Sequence, residues 1–332
     1  MTPLAVFLIP WGQRAEVLSA FDLRPCLMTI NDLIASVRRI EVRTNRLVND
    51  MMVGAYLSHF KGRGMDFEEL REYIPGDEVR DIDWNVTYRM GRPFVKRYRE
   101  ERELALILAL DISASSAFGS LRRSKREFAA EIAGTLAISA TRSSDKVALL
   151  LFTDQVELFL PPRKGRRHIL RLIREMLFFE PKRRGTNIPA ALTFLNHVLH
   201  RRSIVFLLTD FLHSFGATAL PTGMRRDTLQ EIGLTNARHD LVCVHLHDPR
   251  ESMLPTAGLL TIEDAETGEL LELDSSRALV REKFARTNAE RLAELDRALR
   301  RAGVDTLSFS TAEPFAQTLQ RFFETRRGRR RG

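Results

Sequence analysis

Runs of apolar residues separated by amphipathic segments constrain the fold of this chain more than any other feature of its sequence. The runs are Leu104 to Leu110, Val147 to Phe152, Ile204 to Leu208, Leu241 to Leu246 and Thr306 to Phe309. Apolar residues continue through each run and do not alternate with polar ones, so both faces of each predicted strand should be buried. The pattern predicts an α/β fold in which a mainly parallel sheet has helices on both faces.

The segments between the runs have apolar residues at helical spacing, as at Phe128, Ile132 and Leu136. The predicted helices are Arg122 to Ser143, Arg166 to Phe179, Pro189 to His200, Asp227 to Arg238, Ser276 to Arg301 and Pro314 to Thr325. Leu259 to Ile262 and Leu270 to Leu273 are separated by a short turn, and we expect them to form a β-hairpin.

The chain divides into four predicted parts. Residues 1–27 begin with an apolar stretch that contains two prolines, and Phe21 to Pro25 resembles a turn, so we expect a weakly ordered extension there. Residues 28–100 combine a predicted helix from Asn31 to Leu47 with a small β-rich segment, and residues 101–325 form the large α/β domain. The last part, residues 326–332, contains five arginines and is predicted to be a disordered basic tail.

The composition excludes several classes of protein. With 332 residues, of which 44% are hydrophobic, the chain can build a large core, which argues against a disordered or fibrous protein. No stretch approaches the ~20 apolar residues that a membrane-spanning helix needs. The two cysteines, Cys26 and Cys243, are too few for a disulfide framework, so we expect a cytoplasmic protein. Five of the positive charges behind the net charge of +8 lie in the basic tail.

Polar side chains follow the predicted strands where parallel strands end. Asp111, Ser113 and Ser115 come directly after one apolar run. Asp210 follows another run, and Thr186 lies in a loop that leads into a helix. Ligands of open α/β sheets bind beyond the carboxyl ends of the strands, so we expect these side chains to converge. Carboxylates and hydroxyls are hard oxygen donors that suit Mg²⁺ or a similar divalent cation, and one coordination position would stay open for an outside ligand.

In order and spacing, these five residues resemble the metal-ion-dependent adhesion site of the von Willebrand factor A domain. The resemblance implies that Ser113, Ser115 and Thr186 bind the ion directly. It also implies that Asp111 and Asp210 bind the ion directly or through water. The implied fold is von Willebrand A-like (Rossmann-like), in agreement with the strand and helix pattern.

A second resemblance lies earlier in the chain. Residues 71–84, REYIPGDEVRDIDW, resemble the signature of the bacterial domain-of-unknown-function family fifty-eight. Members of that family carry a von Willebrand A-like domain after the signature and are linked with MoxR-type AAA+ ATPases. The resemblance therefore implies such an ATPase as partner, in chaperone-like assembly or maturation of other proteins. Many relatives also have two membrane helices at the start, which this chain lacks.

The signature itself is predicted to have a structural role. Its assigned positions are Arg71, Tyr73, Gly76, Asp77, Arg80, Asp83 and Trp84. We expect ion pairs between the arginines and aspartates, with the two aromatic residues as apolar anchors, to clamp a small β unit to the larger domain. A docking surface for the ATPase is the alternative interpretation.

Basic residues cluster near the predicted metal site. We call this set the basic collar, and its members are Arg122, Arg123, Lys125, Arg126, Lys182, Arg183 and Arg184. The collar would surround the site and attract an acidic partner, whose Asp or Glu would complete the coordination of the metal ion. A solvated face without a binding role is the alternative for the same residues.

These features favour a non-catalytic adaptor without a small-molecule substrate. A Mg²⁺-dependent phosphoryl-transfer enzyme with Asp111 as nucleophile is the first alternative, although such enzymes usually have a second carboxylate at the position of Ser113. A nucleic-acid-binding protein is the second alternative, but aromatic residues are not interleaved with the basic ones. The sequence has no phosphate-binding glycine loop of the P-loop type, so ATP hydrolysis would belong to a partner.

Overall fold

The apolar runs form the central strands of a six-stranded sheet in the structure of the chain, a computed structural model. The structure describes residues 7–10, 66–99, 105–120, 123–212, 226–266 and 268–329. The elements below are numbered within these residues.

The strands fall into three sheets. They are β1 (Phe7–Pro10), β2 (Asp66–Glu72), β3 (Phe94–Arg99), β4 (Ala105–Asp111), β5 (Lys146–Phe152), β6 (Val156–Arg163), β7 (Ile204–Thr209), β8 (Asp240–His247), β9 (Leu259–Glu263), β10 (Leu270–Asp274) and β11 (Asp305–Ser310). The six-stranded sheet has the order β11-β8-β7-β4-β5-β6, the second sheet has the order β1-β9-β10, and β2 pairs with β3. In the large sheet every pairing is parallel except that of β6, which is antiparallel to β5.

The helices lie between and after these strands along the chain. They are α1 (Trp84–Met90), α2 (Lys125–Arg142), α3 (Arg166–Phe178), α4 (Ile188–Val198), α5 (Arg226–Arg238), α6 (Pro249–Ser252), α7 (Ala278–Arg301) and α8 (Ala316–Arg329). Short 3₁₀ turns cover Val79–Asp81 and Ala114–Ala117. Among these elements, no helix combines the length and the apolar character that crossing a bilayer requires.

Two apolar cores lie on opposite faces of the large sheet. Side chains of α2, α3 and α8, such as Phe128, Leu172 and Phe323, pack on one face. Side chains of α4, α5 and α7, such as Leu192 and Ile232, pack on the other face. Burial on both faces is the reason that the strand residues are apolar throughout. The fold is therefore the α/β, von Willebrand A-like arrangement that the sequence predicted.

The outer strand β6 was absent from the predicted elements. Pro161 and Pro162 near its end argue against a strand because proline lacks a backbone N–H group. The prolines are tolerated because β6 is the last strand of the sheet and because its pairing with β5 is irregular between Val147 and Leu149.

The ends of the chain depart in part from the prediction. Residues 7–10, within the predicted weakly ordered extension, form β1 and pair antiparallel with β9. The predicted helix from Asn31 to Leu47 lies outside the described residues. At the other end, α8 continues to Arg329, so the segment assigned to a disordered tail begins inside a helix. Arg326 of that segment is only 13% exposed and forms ion pairs with Asp240 and Asp305.

Candidate metal site

The first predicted ligand, Asp111, is the last residue of β4, near the middle of the large sheet. The backbone N–H of Ser113 donates to one carboxylate oxygen at 2.9 Å, and the Thr209 hydroxyl donates to the other at 2.6 Å. Burial, followed by the charge of Asp210, raises the pKa of Asp111 to about 7. A buried carboxylate of this kind ionises more readily when a cation lies beside it.

Ser113 and Ser115 lie directly after β4, around the 3₁₀ turn Ala114–Ala117. Their hydroxyl oxygens are 3.1 Å apart, and both side chains are buried. Neighbouring ligands of an octahedral Mg²⁺ ion are about 3 Å apart, because each Mg²⁺–O distance is about 2.1 Å. The two hydroxyls therefore have the separation that adjacent coordination positions require.

Asp210 follows β7, the strand beside β4, and is also buried. The Leu212 N–H group donates to Oδ1 of Asp210 at 3.0 Å, and the Ser115 hydroxyl also hydrogen-bonds to this carboxylate. Burial alone would raise the pKa of Asp210, but the Lys125 ammonium and the hydrogen bonds hold it below its usual value. Asp210 is thus joined to the loop that carries the two serines.

Lys125, the first residue of α2, lies inside the site and not in an exposed collar. Its side chain is 2% exposed, and its ammonium group pairs with Asp210 at 2.6 Å and with Glu251 of α6. Helical side chains lean toward the N-terminus, which directs Lys125 toward the strand ends. Burial would lower the pKa of Lys125, but the two carboxylates hold it above its usual value. Arg291 interacts electrostatically with the same carboxylates.

Thr186 lies in the loop between α3 and α4 and is 7% exposed. Two backbone hydrogen bonds hold this loop: Ala114 donates to Arg184 at 3.0 Å, and Asn187 donates to Thr153 at 2.9 Å. The first bond joins the Thr186 loop directly to the segment between the two serines. The structure thus brings the Thr186 loop to the other predicted ligands.

The Thr186 hydroxyl donates a 2.7 Å hydrogen bond to Oε1 of Glu266, a residue that sequence reasoning assigned only to a turn. Glu266 lies in the turn of the β9–β10 hairpin. Ala265, the preceding residue, packs on Ala114 and Leu212, which flank the serines and Asp210. The hairpin turn therefore lies against the loops that carry the serines, Asp210 and Thr186.

The donor set fits a hard divalent cation. It consists of three hydroxyls and two carboxylates, all oxygen ligands, and two of its hydroxyls have octahedral spacing. Within the described residues, no group of three or more His, Cys, Asp or Glu side chains is arranged as a metal site, so ion binding here would depend on the hydroxyls.

Other members of the basic collar also have internal partners. Arg123 pairs with Glu131 at 2.7 Å and donates to the Thr311 carbonyl oxygen. Arg126 donates to the Met176 carbonyl oxygen at 2.8 Å, and burial lowers its pKa to about 10. These contacts hold α2 against neighbouring elements, so the two side chains do not form a free basic surface.

The rest of the collar is the exposed run Lys182, Arg183 and Arg184, which leads into the Thr186 loop. Arg122 lies outside the described residues. An exposed basic surface therefore exists on one side of the site and is smaller than the sequence suggested.

The signature segment forms part of the β2–β3 unit. Arg71 pairs with Asp77 at 2.6 Å, and Asp83 caps α1 by accepting hydrogen bonds from two backbone N–H groups. Gly76 has a φ of 114°, which a residue with a side chain rarely adopts. Trp84, however, is 65% exposed and is not the apolar anchor that was expected.

Ion pairs do form in this segment. Arg71 pairs with Asp77 at 2.6 Å and Glu72 pairs with Arg92 at 3.1 Å, whereas Arg80 is exposed. Tyr73 is half-buried. The signature residues therefore stabilise the turn and the start of α1, whereas Trp84 does not act as an apolar anchor.

Comparison with protein families places these features in a wider group. The model of the family described as "Protein of unknown function DUF58" matches residues 69–294. An uncharacterized protein of Mycobacterium tuberculosis is 30% identical over 298 residues, which are 89% of this chain and 90% of the relative. An uncharacterized protein of Mycobacterium avium is 28% identical over 170 residues, which are 51% of this chain and 94% of the relative.

The solved structures to which the chain is similar include the conserved hypothetical protein BatB from Bacteroides thetaiotaomicron. Its TM-score is 0.44 with 13% identity, and the match covers 67% of this chain and 98% of that protein. A von Willebrand factor type A protein from Catenulispora acidiphila has a TM-score of 0.31 and 13% identity, covering 44% of this chain and 33% of that protein.

Proposed function

The chain belongs to the protein family DUF58, and we propose that within this family it acts as a non-catalytic adaptor that binds a divalent cation and, through the ion, an acidic residue of a partner protein. The pair of serine hydroxyls carries the proposal, because they lie 3.1 Å apart beside two buried carboxylates. This arrangement supports an ion such as Mg²⁺, which prefers oxygen ligands in octahedral geometry.

In this proposal the three hydroxyls of Ser113, Ser115 and Thr186 hold the ion. Asp111 and Asp210 hold it directly or through water, as the resemblance to the metal-ion-dependent adhesion site implies. A bound ion supplies positive charge that attracts a carboxylate. Lys125 acts as a positioning residue, because its ammonium group fixes the Asp210 carboxylate through a 2.6 Å ion pair.

The proposed partner is a MoxR-type AAA+ ATPase or its client, in chaperone-like assembly or maturation. Family resemblance supports this choice. The exposed run Lys182 to Arg184 supports an acidic binding surface on the partner, because positive charge near the site would steer an acidic protein toward it. We place the complex in the cytoplasm as part of the same proposal.

The competing functions receive less support from the contacts. A nucleophilic Asp111 would need an accessible oxygen, yet both of its carboxylate oxygens accept hydrogen bonds and the side chain is buried. Nucleic-acid binding would need a free basic surface, yet Arg123, Lys125 and Arg126 make internal contacts. We therefore propose the adaptor as the single function.

Direct metal binding tests the proposal. Mn²⁺, which can replace Mg²⁺ and is visible by electron paramagnetic resonance, is titrated into the full-length chain and into Asp111→Asn. We expect one bound ion in the wild-type chain and a loss of binding in the variant. Asp296→Asn, on the exposed side of α7, is the matched control and should bind Mn²⁺ as the wild type does.

Partner binding is tested separately. The MoxR-type ATPase from the same cell is captured on immobilised protein with Mg²⁺ and again with excess EDTA. We expect capture in Mg²⁺ and its loss in EDTA and in Asp111→Asn. Capture that is unaffected by both changes would contradict a metal-mediated contact, and absence of Mn²⁺ binding to the wild-type chain would contradict the metal site itself.

A further inference from the structure

We infer that Glu266 is a further ligand of the metal site, and that it fills, from within the chain, the coordination position that a partner's carboxylate must take. The inference rests on the proposed function. It adds a specificity-determining residue that no signature position indicates. The consequence is that an acidic partner binds by replacing Glu266, so the β9–β10 hairpin controls access to the ion.

The hydrogen bond to Thr186 is the first observation. Thr186 is one of the three hydroxyl residues proposed to hold the ion, and its Oγ1 lies 2.7 Å from Oε1 of Glu266. A hydroxyl can donate its proton to a carboxylate and still offer a lone pair to a cation. Glu266 is therefore positioned beside a proposed ligand of the ion.

The packing of the hairpin turn is the second, independent observation. Ala265 is 4% exposed and packs on Ala114 and Leu212. Ala114 lies between the two serines, and Leu212 lies two residues after Asp210. Because the residue before Glu266 contacts both ligand loops, the turn lies directly over the cluster of oxygen donors.

The conformation of the turn is fixed by local hydrogen bonds. Asp264 accepts from the Glu266 N–H group at 2.8 Å through its side chain, and its backbone pairs with Glu269 at 2.8 Å. Gly268 has a φ of 74°, a left-handed conformation that glycine adopts at little cost. Glu266 is therefore held in place by hydrogen bonds to its near neighbours in the chain.

The hairpin below the turn is also anchored. Strand β9 pairs with β1 on one side and β10 on the other. Leu260 and Ile262 of β9 pack with Leu254, and Val280 and Phe284 of α7 contact this cluster. A carboxylate held on such an element has a high effective concentration at the site, so an outside carboxylate must compete with it.

This competition gives two effects of opposite sign. Removing the Glu266 carboxylate should weaken binding of the ion alone, because one negatively charged ligand is lost. It should also strengthen binding of an outside carboxylate to the ion, because the internal competitor is gone. A residue that merely stabilised the turn would not produce both effects.

The experiment uses Mn²⁺ as the metal and sodium acetate as a small analogue of an Asp or Glu side chain, with the full-length chain throughout. Pulsed electron paramagnetic resonance in ¹⁷O-labelled water counts the water molecules bound to Mn²⁺. In Glu266→Ala we expect one more bound water than in the wild type and a Kd for Mn²⁺ that is higher by about tenfold or more. Excess acetate should then remove that extra water in Glu266→Ala and leave the wild-type count unchanged.

Two further variants separate a ligand from a structural residue. Glu266→Gln keeps an oxygen that accepts from Thr186 but loses the charge, and we expect weaker Mn²⁺ binding with an unchanged circular dichroism spectrum. Glu272→Ala, an exposed residue on β10 of the same hairpin, is the matched control and should behave as the wild type does.

The outcomes distinguish this inference from the proposed function. If Mn²⁺ binds to the wild type, is lost in Asp111→Asn, and shows the same water count and Kd in both Glu266 variants, Glu266 is not a ligand and only this inference is overturned. If the wild type binds no Mn²⁺, the proposed function is overturned, and the role of Glu266 as a ligand with it.

Discussion

At the scale of single residues, the ion pairs of the buried Lys125 connect the site to the stability of the folded chain. Its ammonium group is shared by Asp210 and Glu251, and all three side chains are almost inaccessible to solvent. A buried ion pair contributes little net stability, because desolvation offsets its attraction. Removing one partner is costly, however, because the remaining charges stay buried without compensation.

We therefore expect Lys125→Met to lower the free energy of unfolding by about 3–5 kcal/mol at neutral pH. Urea unfolding followed by circular dichroism measures the change. The matched control is Lys182→Met at an exposed position, which should change the value by less than about 0.5 kcal/mol. A loss in Lys125→Met no larger than in the control would contradict the buried network.

A second residue-scale prediction concerns His245, near the end of β8. Burial, followed by the charges of His247 and Arg291, lowers the pKa of His245 to about 3, against 6.5 in a model peptide. Between these two values the unfolded chain binds a proton at this residue that the folded chain does not. The contribution of neutral His245 to the free energy of unfolding is therefore fully present above pH 6.5 and is lost as the pH falls toward 3.

His245→Gln should remove this dependence. In unfolding titrations from pH 6.5 down to about 5, the wild type should lose up to about 1.4 kcal/mol per pH unit more than the variant. The difference in slope is the measurement, because the substitution also changes the baseline stability. Parallel slopes would show that His245 is protonated in the folded chain.

Sequence reasoning at this scale found the oxygen donors and placed Lys125 near them as part of a basic collar, but it missed the burial of Lys125 and the contact of Glu266. Asp111, Ser113 and Ser115 follow a strand directly, so their position is a local property that a pattern can indicate. Lys125 and Glu266 reach the site only through tertiary packing, one from the start of a helix and one from a distant hairpin. A basic residue in a basic run and a glutamate in a turn give no local signal of such contacts.

At the scale of elements, α8 continues beyond the predicted end at Thr325, and Arg326 in this extra turn contacts the large sheet. Its guanidinium group pairs with Asp240 of β8 at 2.5 Å and with Asp305 of β11 at 2.7 Å, and it stacks over Phe322. These contacts join the last helix to two adjacent strands. The run of arginines was predicted to be a solvated tail because no acidic residue lies within it, and the aspartates that pair with Arg326 are distant in the sequence.

Arg326→Ala should lower the free energy of unfolding by about 2 kcal/mol, because two charge-assisted contacts are lost from a mostly buried group. Chemical denaturation measures the change. Arg321→Ala, at an exposed position of the same helix, is the control and should have little effect. Arg326→Lys should also lower the free energy of unfolding, but by less than Arg326→Ala does. The reason is that an ammonium group cannot contact both carboxylates as a planar guanidinium does. Equal stability of the two alanine variants would contradict this account.

The helices and buried strands of the large sheet were predictable because their apolar periodicity reflects burial directly. The predicted helix from Arg166 to Phe179, for example, corresponds to α3 (Arg166–Phe178). The edge strand β6 was not predictable from the same signal, because it is only partly buried and ends in prolines. The exposure of Trp84 could also not be predicted from the sequence, because exposure depends on what surrounds a residue and not on its type.

At the scale of the whole molecule, the proposed site joins three parts of the chain that are far apart in sequence. Its ligands lie in loops after β4, before α4 and after β7, and the hairpin turn covers them. An ion bound by all of these loops would stabilise the folded chain, because the unfolded chain does not bring the ligands together.

We expect Mg²⁺ to raise the free energy of unfolding of the full-length chain by about 2.7 kcal/mol at a concentration 100 times its Kd. Differential scanning calorimetry with increasing MgCl₂, against NaCl at equal ionic strength, measures the change in Tm. Asp111→Asn should show no such increase. A Tm that is independent of Mg²⁺ in the wild type would contradict a site formed only in the folded state.

The prolines of β6 have a consequence for how copies of this protein behave at high concentration. The outer strand of an open sheet offers unpaired backbone groups to which another chain can add, a common route to aggregation. Pro161 and Pro162 have no N–H group to offer, and the irregular pairing beside them bends the edge. Another copy of the chain therefore cannot readily add a strand at the β6 edge, and aggregation by this route is disfavoured.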